Sequence, residues 1–169
     1  MTTEPREHLL HWLRDSYAME KQALEITERE VERIESYPDL KERIEKHIEE
    51  TKVQILRLEQ CFSILGETPS NIKDSIGWFM GNAQAVSGIF ATDEVVKDAM
   101  SDYVFENLEI ASYTILIAAA ELANQHQIAK LCSESLKEEL AMADWLKHHL
   151  ATTTQKFLRT EQTENTARI

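Results

Sequence analysis

The sequence predicts an all-α protein, a four-helix bundle built from two antiparallel hairpins, and three observations carry that prediction. Chain breakers are scarce, since 4 glycines and 3 prolines among 169 residues leave room for only a few interruptions, which suits long helices better than many short strands. Apolar residues recur at steps of three and four over long stretches, the period of a helical face. The interruptions are unevenly spread: two tight turns, at 36–39 and 124–127, flank one long irregular connection.

The first helix is predicted to begin near Glu4 and Pro5, where proline is tolerated in a first turn, and to run to about Ile34. Its stripe is Leu10, Leu13, Tyr17, Glu20, Leu24, Thr27, Val31 and Ile34. The turn Ser36-Tyr37-Pro38-Asp39 is short, so the second helix returns antiparallel, with Ile44, Ile48, Ile55, Leu58, Phe62 and Leu65 inward and Gly66 as its stop. Residues 66–91 hold every glycine of the chain and read as a long crossover with a short helix around 71–83. Its Trp78, Phe79, Met80, Ile89 and Phe90 read as packing over the bundle. Thr92 and Asp93 suit the cap of a third helix, whose stripe is Val95, Ala99, Asp102, Glu106, Glu109, Tyr113, Leu116, Ala120 and Ala123. After the turn Asn124–Gln127 the fourth helix carries Ile128, Cys132, Ser135, Glu139, Met142 and Leu146. Two hairpins joined by one long crossover are the ferritin-like variant of the bundle, distinct from the up-down-up-down form. Residues 1–160 are predicted to form this one domain, and 161–169 a polar, frayed tail.

Charge narrows the function. A formal net charge of −12 argues against nucleic acid, whose phosphates need clustered Lys and Arg. The N-terminus lacks the apolar core of a signal peptide, and the run "ILIAAA" at 115–120 is too short to cross a bilayer. No membrane partner is expected, and a cytoplasmic location is. Cys61 and Cys132, in helical patterns without CxxC spacing, read as buried thiols of a reducing compartment.

The anomaly is carboxylates in apolar stripes. Glu20 lies in the first and Glu109 in the third, each followed along its stripe by small or apolar residues, while the second and fourth offer adjacent pairs, Glu49-Glu50 and Glu138-Glu139. At 1.5 Å per residue, Glu20 and Glu50 lie ~25 and ~18 Å from the first turn, and Glu109 and Glu139 lie ~22 and ~18 Å from the second. All four fall in one middle layer. Neighbours on a helix differ by about 100°, so spacing leaves open which member of each pair faces inward; Glu50 and Glu139 are preferred, with Glu49 and Glu138 as substitutes. Glu50 sits three after His47 and four before Gln54, a polar line beside the stripe. No Lys or Arg is expected in the stripes at that layer. Four carboxylates packed without counter-charge raise one another's pKa and cost several kcal/mol, and a bound pair of hard cations such as iron, manganese or magnesium removes that cost.

The stretches "WLRDSYAMEKQA", "HIEETKVQI", "NIKDSIGWF", "GIFATDEVVK", "YVFENLEIASYTILIAAAE" and "MADWLKHHL" resemble the YciE/YciF family of ferritin-like proteins, over nearly the whole chain to about Arg159. The resemblance implies a cytoplasmic, stress-associated bundle related to di-iron carboxylate proteins. It implies one glutamate on the first helix, met by Glu20, and one on the third, met by Glu109, with Glu106 three residues earlier giving Glu-x-x-Glu. It also implies Glu-x-x-His on the second and fourth helices, from which this chain departs: neither Glu49 nor Glu50, and neither Glu138 nor Glu139, has a His three residues on. His47 precedes Glu50 in the reverse order. The expected metal ligands are therefore Glu20, Glu50, Glu106, Glu109 and Glu139, with Tyr17, His47, Glu49, Gln54, Tyr113 and Glu138 as supporting or substitute groups. Two readings follow. One is a stress-associated protein with a carboxylate-rich di-metal site of the di-iron type, binding iron or another divalent metal and reacting with oxygen or peroxide. The other is a non-catalytic helical scaffold acting through dimerisation or a stress-response partner. A homodimer is expected under either.

Overall fold

A computed structural model of the chain describes residues 4–69 and 94–167. These form four helices: α1 (Pro5–Val31), α2 (Pro38–Ile64), α3 (Glu94–Leu122) and α4 (His126–Ala167). Among the described residues there is no strand. The crossover with its predicted short helix, and the predicted cap at Thr92 and Asp93, lie outside the described residues.

Both helices of the first hairpin start on a proline, Pro5 and Pro38, whose missing N–H is unneeded in a first turn. α2 ends where Gly66 takes φ +69° and Glu67 N–H donates back to the Phe62 carbonyl at 2.9 Å. That closure satisfies the last carbonyls and requires the left-handed backbone that glycine adopts without penalty. The second hairpin turns the same way on Asn124, φ 57°, with Gln125 N–H donating to the Ala120 carbonyl at 2.7 Å. Asparagine is among the few residues that tolerate this conformation. α4 continues past Thr160 to Ala167, further than the frayed tail expected from 161. No Gly or Pro lies in it to stop it.

Side-chain contacts fix the packing. α1 runs antiparallel to α3: Ser16 meets Ser112 at 2.7 Å, and further along α1 Glu30 meets Asp102, earlier on α3. α2 runs antiparallel to α4, with Arg57 meeting Ser135 at 3.3 Å and Gln54 meeting Glu139. Two hairpins so arranged are the ferritin-like bundle.

The interior is divided. One apolar half holds Leu13, Leu58, Phe62, Tyr113, Leu116 and Ile128; the other holds Ile34, Ile44, Ile48, Met142 and Leu146. Between them lies a buried polar layer of Glu20, His47, Thr51, Gln54, Glu106, Glu109 and Glu139. Apolar burial on either side carries the stability, and the middle layer works against it.

Candidate metal centre

Each helix delivers its share of this layer by register. On α3, Glu106 and Glu109 are three apart and share a face, and both are buried. On α4, Glu139 is fully buried, seven residues or two turns after the buried Cys132. α1 contributes Glu20, also fully buried. α2 contributes His47, 2% exposed, where the sequence prefers Glu50. One ligand atom from each of His47, Glu106, Glu109 and Glu139 lies within 4.8 Å of every other.

His47 is the hub. Its Nε2 lies 3.2 Å from Glu106 Oε1 and 3.6 Å from Glu139 Oε2. Its Nδ1 lies 3.1 Å from Glu50 Oε2. Burial works against the imidazolium, but Glu106, Glu50 and Glu139 outweigh it and raise its pKa well above 6.5. His47 is therefore the internal cation of the metal-free layer, with both ring nitrogens donating.

The carboxyls around it are poorly supplied with donors. Tyr113 O–H donates to Glu20 Oε1 at 2.6 Å, and Gln54 donates to Glu139 Oε1. Glu20 Oε2, Glu106 Oε2, Glu139 Oε2 and both oxygens of Glu109 are buried without a hydrogen-bond partner. Burial pushes Glu20 up to about 8, against the opposing pull of Tyr113 and His47. Burial, then the charges of Glu139, Glu20 and Glu106, hold Glu109 well above the carboxylate range. Burial and Glu106 do the same for Glu139.

The structure does not bring Glu50 into the cluster. Its carboxylate sits at the rim with Arg43 at 3.2 Å and Lys46 at 3.2 Å. Although partial burial opposes it, His47, Arg43 and Lys46 lower its pKa to about 2. The preference for Glu50 rested on its polar line with His47 and Gln54; those two turn inward, while Arg43 and Lys46 hold Glu50 at the rim, where it anchors the far side of the His47 ring. Glu138 is likewise withheld, since Arg57 grips both its oxygens, at 2.6 and 2.9 Å, while Gln54 donates to it at 3.0 Å. Glu49 is exposed and paired with Lys52 at 2.8 Å. Tyr17 points away from Glu20 and donates to Glu59 at 2.8 Å. Tyr113 and Gln54 do support the cluster.

Sequence reasoning missed Glu30, placed on a solvated face but 1% exposed. It hydrogen-bonds Asp102, and burial is the largest reason both titrate high, Glu30 at about 7. Asp102 was the available signal, an acid in the α3 stripe without an assigned partner. The antiparallel register that sets Glu20 against Tyr113 also sets Glu30 against Asp102.

The cluster fits a cation. Ligand atoms ~2.1–2.5 Å from one ion are at most about 4–5 Å apart, which matches the 4.8 Å spread. Five buried oxygens have no hydrogen-bond partner, and a buried carboxylate is tolerated when it is paired or bound to metal. One imidazole with several carboxylates suits iron, manganese or zinc.

Comparison with known proteins agrees with this architecture. A family profile described as "Domain of unknown function (DUF892)" matches residues 4–159. "Protein YciF" of Escherichia coli (strain K12) is 31% identical over 144 residues, 78% of this chain and 81% of YciF. The crystal structure of a Xanthomonas campestris pv. campestris protein superposes with a TM-score of 0.80 at 38% identity, covering 95% of this chain and 99% of that one. The crystal structure described as that of the E. coli stress protein YciF gives a TM-score of 0.71 at 28% identity, covering 92% and 99%.

Proposed function

The chain belongs to the DUF892 family, the YciE/YciF group of ferritin-like proteins, and on that footing we propose that it is a metal-binding protein of the di-iron carboxylate type that reacts with oxygen or peroxide under stress. The observation that supports this most is the set of five buried carboxylate oxygens without a hydrogen-bond partner gathered around His47. His47, Glu106, Glu109 and Glu139 would hold one ion. Glu20 Oε2 and the second oxygen of Glu109 are the free donors for another.

Iron, if bound here, would supply a one-electron couple able to reduce oxygen or peroxide. The chain's own groups supply position and proton control. Glu50 accepts from His47 Nδ1 and fixes the ring, leaving Nε2 as the ligand atom once its proton departs. Tyr113 fixes Glu20 and Gln54 fixes Glu139, each leaving one oxygen free. The apolar halves above and below exclude water, which strengthens every electrostatic contact in the layer. The YciF structure's description as a stress protein supports the stress setting.

The test is metal analysis of protein purified without chelator, beside Glu20→Ala, Glu109→Ala and His47→Ala. Bound iron or manganese in the wild type, reduced in all three variants, is expected. Equal metal content in the variants rejects the proposal.

A further inference from the structure

The chain has 2 cysteines, and the fold brings them to one place. Cys61 on α2 and Cys132 on α4 are buried free thiols, and they share the apolar half that also holds Tyr113 and Leu116. Register sets them opposite each other. Gln54 meets Glu139 and Arg57 meets Ser135, so one more turn along α2, and one turn back along α4, brings Cys61 level with Cys132. The two thiols hydrogen-bond each other; that bond first, and burial second, hold Cys132 above the ordinary thiol pKa. The thiolate is the form that attacks an oxidant, so a protonated, enclosed pair is closed to peroxide arriving from solvent. Toward the carboxylate layer it is connected. Cys132 lies seven residues before Glu139, a rise of ~10 Å along α4. Tyr113 links the two regions: its buried hydroxyl accepts from Ser135, three residues after Cys132, and donates to Glu20 at 2.6 Å.

We propose, on the metal-binding reading above, that Cys61 and Cys132 are an internal two-electron reductant for the metal centre, closing as a disulfide between α2 and α4 when hydrogen peroxide is reduced there. The step balances. Both S–H bonds and the O–O bond of hydrogen peroxide break, while one S–S bond and two O–H bonds form. Each sulfur is oxidised by one electron. Peroxide takes up those two electrons with the two thiol protons and leaves as two waters. A disulfide demands a close and specific approach of its two side chains, and thiols in mutual hydrogen-bond contact from level positions are set for it. Ser135, Tyr113 and Glu20 form a hydrogen-bonded line along which protons pass between the pair and the layer. The pairing also explains why two thiols serve where one would not. A single thiol oxidised by peroxide stops at the sulfenic acid or goes on irreversibly to the sulfinic acid, whereas a second thiol diverts it to a disulfide that a reductant reopens.

Oxidation of the full wild-type chain tests this, with no variant needed. One sample is stripped of metal; a second is loaded anaerobically with ferrous iron. Both receive hydrogen peroxide in excess over the iron, so that the ferrous ions alone cannot supply the electrons. Iron content, free thiols and intact mass are read on each. The iron-loaded chain should lose both thiols together with two hydrogens in mass. Its digest should contain one peptide pair joined through Cys61 and Cys132 and separated by dithiothreitol. The metal-free chain should keep both thiols over the same interval. A chain that binds iron and keeps its thiols overturns this inference and leaves the metal-binding reading standing, whereas a chain that binds no iron overturns both. A metal-free chain that closes the disulfide as fast as the loaded one, or a loaded chain oxidised at one sulfur without a disulfide, overturns the inference as well.

Discussion

Replacing Glu109 by glutamine should stabilise the metal-free protein while weakening its hold on metal. Glu109 is 1% exposed, and neither of its oxygens has a hydrogen-bond partner. Burial and the charges of Glu139, Glu20 and Glu106 raise its folded-state pKa well above 4.5. The folded chain therefore binds a proton that the unfolded chain has released. Stability is intact below pH 4.5 and falls as pH rises toward the folded pKa. Each pH unit of the gap costs about 1.4 kcal/mol, so at pH 7 the penalty is about 3 kcal/mol, an upper figure because neighbouring carboxyls relax together. Glutamine keeps the shape without the titration. For a chain this size ~2–4 °C of Tm accompanies each kcal/mol, so thermal unfolding of chelator-treated protein should show the variant up to ~10 °C more stable at pH 7. The difference should all but vanish at pH 5. Added divalent metal should then raise the wild type more than the variant, by ~2.7 kcal/mol at a hundredfold excess over Kd for a site that survives. A variant less stable than wild type at pH 7, or a difference that ignores pH, would refute the reasoning.

Other consequences follow from the same layer. Glu30, pushed up to about 7 chiefly by burial, makes folding stability decline between pH 4.5 and 7; Glu30→Gln should flatten that decline by up to ~3 kcal/mol, measured by urea unfolding at pH 5 and 7. Tyr113→Phe removes the donor 2.6 Å from Glu20 and should cost ~1–3 kcal/mol at pH 7, as expected for a buried acceptor left alone. Tyr17→Phe, whose partner Glu59 is on the surface side, should cost less than ~1 kcal/mol, and equal losses in the two variants would contradict the burial argument. Leu58→Ala, in the apolar half where Leu58 is 1% exposed, should cost ~2–5 kcal/mol without changing metal stoichiometry.

The bundle was readable because its signals are local and repeated: two Pro-started helices, Gly66 and Asn124 at the closures, and stripes at helical spacing. Glu20, Glu106 and Glu109 were readable for the same reason, since each falls in a stripe set by helical spacing. His47 and Glu50 were harder. They sit three apart on one face, and which goes inward depends on Arg43 and Lys46 holding Glu50 at the rim, a tertiary and rotameric fact invisible to periodicity. Arg57 decides between Glu138 and Glu139 in the same manner, by reaching across from α2. Glu30 was obscured because its neighbours in "EITEREVERIE" are solvated, and only its pairing with Asp102 on another helix explains its burial.

The central claim is that His47, Glu106, Glu109 and Glu139 enclose a cation. Anomalous diffraction at the iron edge, from crystals grown with ferrous iron and without chelator, tests it most directly. The account predicts an anomalous peak within ~2.0–2.5 Å of His47 Nε2 and at least two of the three carboxylates. A map without a peak there, with His47 still bridging Glu50 and Glu106, would contradict it.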